Sequence, residues 1–169
     1  MTLLDRLLLA MADHDKGHPK LIQHFIKVHE FARLIGVCEN MEASQLFTLE
    51  AAAIVHDIGI LPSLARYGDD AGRHQEELGP VQAEAMLQSL GFDAETVARV
   101  SYLVAHHHTY TDVDGLDYQI LIEADFLVNL FENSASPEAI ARARENIFST
   151  ETGRALLDDL FPSNPITKE

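Results

Sequence analysis

The stretch AAAIVHDIGI, residues 51–60, ends a run of small and apolar residues with an imidazole beside a carboxylate. Such a run belongs where a helix is most deeply buried. A carboxylate placed there costs roughly several kcal/mol unless it is paired or binds a metal. His56 and Asp57 therefore either satisfy each other or sit beside something charged.

The surrounding sequence reads as helix almost throughout. EASQLFTLEAAAIVHD forms one helix, ended by Gly59 and Pro62. Before it, GHPKLIQHFIKVHEFARLIG has Pro19 at a first helical position and Gly36 at a C-terminal stop. Residues 2–12 make a short amphipathic helix. After it, residues 62–74 read mostly as loop, with GDDAG as the turn signal. EELGPVQAEAMLQSLG is a fourth helix with a regular start near residue 79 because of Pro80, and it stops at Gly91. Asp93 caps a fifth helix running to about His107. A polar loop TYTDVDGLD leads to a sixth helix over 117–131, with SPEAIARARENIF as the seventh and 151–160 as the eighth. No alternation is long enough to claim a sheet. The expected fold is a single all-α bundle over 1–169, with its core at about 20–130, C-terminal helices at 137–160 and a loose tail at 161–169.

A chain of 169 residues, 47% hydrophobic and 23% charged, suits one ordinary globular domain. Its one cysteine, Cys38, permits no internal disulfide and fits a reducing compartment. LLDRLLLAM carries Asp5 and Arg6 inside its apolar run, so it reads as an amphipathic helix and not as a secretory signal. No apolar stretch reads as long enough to span a bilayer. These readings together predict a cytoplasmic protein without a membrane partner. The formal net charge of −15 repels nucleic-acid phosphates and argues against a duplex DNA or RNA partner. A small phosphorylated substrate is compatible, because a bound cation inverts the local field.

The nine histidines are scattered through the chain. Residues three, four and seven apart share a helix face. His24 shares one with Val28, Phe31 and Ile35. His56 lies with Leu49, Ala52 and Ala53, and Asp57 with Leu46, Glu50 and Ala53. His107 lies with Val100, Leu103 and Val104, and Asp125 with Leu121, Ile122 and Val128. A lone core histidine is usually satisfied by a backbone carbonyl, but several helices each turning a His or Asp to the apolar side share a simpler cause, a central cation. Imidazole and carboxylate ligands without cysteine suit Zn, Fe, Mn, Ni or Co. Helix bundles build such sites from facing helices.

A His on one helix, His-Asp at the end of the next and a distant Asp on a later one resembles the HD superfamily of metal-dependent phosphohydrolases. The matching residues are His24 in QHFIKVHEFA, His56-Asp57 in AAAIVHDIG and Asp125 in EADFLV. The resemblance covers roughly residues 20–130 and implies that these four hold a divalent metal. It further implies hydrolysis of a small phosphate ester, with a nucleotide among the candidates, by a metal-activated water. Asp57, His74 and Arg73 are the residues expected to serve catalysis. Some members of the family hold a second metal. Its candidate ligands here are His74 in HQEELGPVQAE and His107, with His106 as the alternative, and Asp57 as the bridge. HDIGI departs from the HDIGK of many members: Ile60 stands where a lysine would face substrate phosphate. Lys20, Lys27, Arg66 and Arg73 are the other candidate cations. Two alternatives remain in the same fold, a di-iron oxygenase and a non-catalytic ligand-binding module. The rest reads as structural or solvated: His29 faces elsewhere, His14 and His18 lie in a polar loop, and Tyr67 and Tyr110 line a pocket mouth or pack. The sequence leaves oligomeric state open.

Overall fold

The computed structural model describes residues 1–162. Its helices are α1 (Leu3–His14), α2 (Pro19–Cys38), α3 (Ala43–Val55), α4 (Ile60–Tyr67), α5 (Gly72–Leu90), α6 (Ala94–Val104), α7 (Leu116–Glu132), α8 (Pro137–Asn146) and α9 (Glu151–Leu160). No strand occurs among the described residues, as the helical patterning requires. Of the expected tail, 163–169 lie outside the described residues.

Helix α3 is the axis of the bundle. Leu49, Ala51, Ala52, Ala53, Ile54 and Val55 are all fully buried, which is how a helix apolar on every side behaves. It packs against α1, α2, α6 and α7. The alanines leave room for these neighbours to approach, so residues at the C-terminal end of α3 meet side chains from several helices. The segment Ala43–Tyr67 has an 18-residue window of mean hydropathy 1.3, enough by composition to cross a membrane, contrary to the expectation from sequence. Yet 67% of that window is buried inside the domain and the helix is broken at 56–59, so a core helix accounts for it.

Local signals explain most boundaries. Asp93 caps α6 by accepting from the Thr96 amide, and Gly91 closes α5 at φ 89°. Thr2 and Asp5 form a capping box at α1. Gly36 does not stop α2, which continues to Cys38. A Cβ at Gly36 would lie 2.7 Å from Leu46 and 3.3 Å from Leu49, so this glycine serves helix packing.

Two further expectations are corrected. Residues 62–67, expected as loop, belong to helix α4. Pro62 is the third residue of α4, within the first turn, where its missing N–H has no intrahelical partner to lose. Helix α5 begins at Gly72, well before Pro80, which lies inside it. Its first turn is pressed against the turn after Asp57: a Cβ on Gly59 would sit 2.6 Å from the Gln75 carbonyl oxygen. A Cβ on Gly79 would meet Val104 at 2.8 Å and the Gly59 backbone at 3.5 Å. Gly59→Ala must push α5 away and is expected to cost about 1–3 kcal/mol, as overpacking does. Urea unfolding measures this; an unchanged midpoint would show that α5 is not held against that turn.

Candidate metal centre

His56 caps the C-terminus of α3 and donates from Nδ1–H to the Ala53 carbonyl at 2.9 Å. His107, in the turn after α6, does the same to Val104 at 2.8 Å. His24, in the middle of α2, places Nδ1 3.0 Å from Glu132 Oε2. Each ring is thereby oriented by its outer nitrogen, and Nε2 points inward. Ring centroids of His24 and His56, and of His56 and His107, are 5.4 Å apart.

Asp57 occupies the middle. Its Oδ2 lies 3.4 Å from both His24 Nε2 and His56 Nε2, while Oδ1 lies 3.4 Å from His107 Nε2. Asp125 on α7 sets Oδ1 at 3.0 Å from His24 Nε2 and 3.5 Å from His56 Nε2, and that oxygen also accepts from Asn129 at 2.8 Å. His108 stacks beside His107 with centroids 4.0 Å apart. Its amide donates to Glu76 Oε1 at 3.0 Å, and its ring covers Gly72, where a Cβ would stand 2.8 Å away.

Two groups of potential ligand atoms result, His24–His56–Asp57 and Asp57–His107–His108, with the atoms of each group within 4.8 Å of one another. Asp57 belongs to both through its two oxygens. Nε2 of His56, His107 and His108 are all buried without a hydrogen-bond partner. Buried polar atoms are rarely left unpaired, and three imidazole nitrogens orphaned in one cluster suit one shared kind of partner, a cation. The donor set fits a divalent transition metal.

The charges agree. Burial acts to lower the pKa of His24 and His56, but the Asp125 hydrogen bond to His24, and the Asp57 and Asp125 charges facing both rings, raise it, His56 most. Burial acts to raise Asp57 and Asp125, yet the facing imidazoles hold both well below the usual carboxylate range. His108 has no such compensation: burial and the neighbouring His107 push it down to about 4, leaving a neutral ring. The Asp57 side chain is 16% exposed against 7% or less for His24, His56, His107 and Asp125, so solvent reaches the cluster past Asp57. Tyr110 is lifted to about 12 by burial and by the Asp125, Glu76 and Asp57 carboxylates, so its hydroxyl keeps its proton.

His24, His56, Asp57, Asp125 and His107 are thus brought together, and His74, His106 and Arg73 are not. His74 lies in the first turn of α5, with Nδ1 2.7 Å from Asp69 Oδ1, Nε2 accepting from Arg73 at 3.1 Å, and its ring stacked on Tyr67. His106 turns to the Tyr102 carbonyl, 2.7 Å away, and packs on that tyrosine. His108 takes the position that sequence reasoning missed. Ile60 is buried at the start of α4, so it packs instead of facing a substrate. A cleft of about 780 Å³ between α3, α6 and α7, lined by Thr48, Asp93, Arg99 and Asp117 among others, lies apart from this cluster. Arg99 there is already bound to Asp114 and Asp117.

A crystal structure of a predicted HD superfamily hydrolase from an uncultured Thermotogales bacterium is similar to this chain. The two are 31% identical over 93% of this chain and 84% of the other, with a TM-score of 0.66. The chain belongs to the HD superfamily. No protein-family model matches it, and no match is found among curated proteins. The helices that carry His24, His56-Asp57 and Asp125, α2, α3 and α7, all pack against one another.

Proposed function

We propose that this HD protein is a metal-dependent phosphohydrolase of a small phosphate ester, with nucleotides among the candidates. The observation that carries the reading is the pair of ligand groups sharing Asp57, with three unpartnered Nε2 atoms aimed between them. His24, His56, Asp57 and Asp125 would hold one cation, and Asp57, His107 and His108 a second. A bound divalent metal supplies Lewis acidity, which lowers the pKa of water toward neutrality and takes up charge on phosphoryl oxygens. The chain's own contribution is orientation. Ala53 and Val104 carbonyls fix two imidazoles, and the protonated Tyr110 hydroxyl near the carboxylates is a donor for a substrate oxygen. The surface charge of −15 makes such a local cation necessary for an anionic substrate and disfavours duplex nucleic acid. An exposed, unpaired Cys38 supports a reducing, cytoplasmic setting.

Metal analysis of the wild type and of the His107→Ala, His108→Ala and His74→Ala variants tests the reading, followed by a phosphate-ester screen with several divalent metals. The expected result is two metals per chain, falling to one in the first two variants and staying at two in His74→Ala. Loss of a metal in His74→Ala, with none lost in His108→Ala, would return the second site to His74. An oxygen-dependent spectral change after anaerobic iron loading, without phosphate release, would favour the oxygenase reading. Binding of a nucleotide with no product in any metal form would favour the non-catalytic module.

A further inference from the structure

We propose that Glu132 is a positioning residue for the metal centre and that Lys27 sets its strength. This rests on the metal-centre reading above and extends it to two residues that supply no ligand atom. Of the four histidines that point Nε2 inward, His56 and His107 are held by neutral backbone carbonyls three residues back. His24 alone is held by a carboxylate, Glu132 Oε2 at 3.0 Å. The contact spans α2 and the last residue of α7, 108 positions apart, so helix geometry alone does not enforce it.

A carboxylate accepting from Nδ1–H fixes the tautomer and the ring plane, and it makes the opposite nitrogen a better donor to a cation. Glu132 is seven residues after Asp125, two helical turns along the same face of α7, so one helix supplies both a direct ligand candidate and the support of its neighbour. The second oxygen of Glu132 accepts from Lys27 Nζ at 2.5 Å. Lys27 lies one turn after His24 on α2 and is 37% exposed. Its charge drains electron density from the carboxylate that supports His24. The two residues therefore act on the metal with opposite signs: Glu132 tightens it and Lys27 relaxes it. Lys20, Gln23, Lys27 and Glu132 line a cleft of about 340 Å³ on the outer side of this contact, which keeps Lys27 within reach of solvent.

The test measures cobalt(II) affinity of the full-length protein by chelator competition, together with the visible cobalt spectrum. Glu132→Ala is expected to weaken affinity by about 10–100-fold, the range for removal of such outer partners, with a shifted spectrum. Glu132→Gln, which retains an acceptor oxygen, is expected to recover part of that loss. Lys27→Met is expected to tighten affinity, and no merely structural role produces that sign. Glu50→Ala is the control: Glu50 holds His29 at 3.1 Å, outside the cluster, and its loss is expected to leave cobalt affinity unchanged. If the wild type binds no cobalt, the metal-centre reading fails. If the wild type binds it and Glu132→Ala binds equally well, or if Lys27→Met weakens binding, the role of Glu132 and Lys27 is overturned while the centre stands.

Discussion

Asp57→Ala is expected to purify without bound metal and to lose turnover by at least about 10³-fold, beyond the 10²–10³ typical for removing a single preorganised electrostatic contact. The size follows from its position. Asp57 is the one residue whose two oxygens face different histidines, Oδ2 toward His24 and His56 and Oδ1 toward His107. Together with Asp125 it also raises His24 and His56 against their burial. Without it, Asp125 is the remaining carboxylate facing the Nε2 atoms of His24 and His56, and His107 and His108 have none within ligand distance among the described groups. Asp57→Asn separates shape from charge: it keeps the volume and one oxygen but removes the negative charge that offsets a dication, so it is expected to lose metal as well. Plasma emission analysis after dialysis against a metal mixture reads both variants. Full occupancy and full turnover in Asp57→Ala would remove Asp57 from the site and with it the shared-ligand arrangement.

The contrast between His24, His56, Asp57 and Asp125, which the sequence placed together, and His108, which it missed, has a physical basis. The first four lie within or directly at the ends of long helices, where a period of about 100° per residue decides which side chains face the core. The same period runs through His107 and leaves His106 as its alternative, but it does not reach His108, because α6 ends at Val104 and residues 105–108 form a turn. In the turn, His106 is drawn outward by the Tyr102 carbonyl while His107 and His108 both turn inward. His74 fails for the opposite reason. The loop expected over 62–74 would leave it free to turn, but it lies in the first turn of α5, and Asp69, Arg73 and Tyr67 hold its ring. Helix α4 was hidden because Gly59 and Pro62 are stop signals only in mid-helix, and here they fall at a start. Glu132 carries no signal of its own: its partner is 108 residues away, and only the packing of α2 on α7 brings the two together.

Glu123→Ala is expected to destabilise the fold by about 3–5 kcal/mol, because several buried donors lose their shared acceptor at about 1–3 kcal/mol each. For a chain of this size, at roughly 2–4 °C per kcal/mol, the melting temperature should fall by about 6–20 °C. Glu123 is fully buried on α7. Its Oε1 accepts from the Ser149 amide at 2.6 Å, the Thr150 amide at 2.9 Å and the Gln119 side chain at 2.7 Å, and its Oε2 accepts from the Thr150 hydroxyl. Thr150 is the N-cap of α9, and its oxygen in turn accepts from the Gly153 amide at 2.9 Å. The carboxylate thus satisfies donors at a helix N-terminus, where negative charge is favoured, and fastens α9 to α7. Gly153 is part of the same fit, since a Cβ there would lie 2.0 Å from Glu123 Oε2. Gly153→Ala alone is expected to cost about 1–3 kcal/mol by overpacking. In the double variant the vacated carboxylate leaves room for the new methyl group, so the two losses should sum to less than their total. Strictly additive losses in thermal unfolding would show that Gly153 and Glu123 do not share that space. Glu123 and Asp125 are two residues apart, about 200° around α7, so the folded fraction of Glu123→Ala is expected to keep the metal content of the wild type: Asp125 lies on one face of the helix and Glu123 anchors the C-terminal helix on the opposite face.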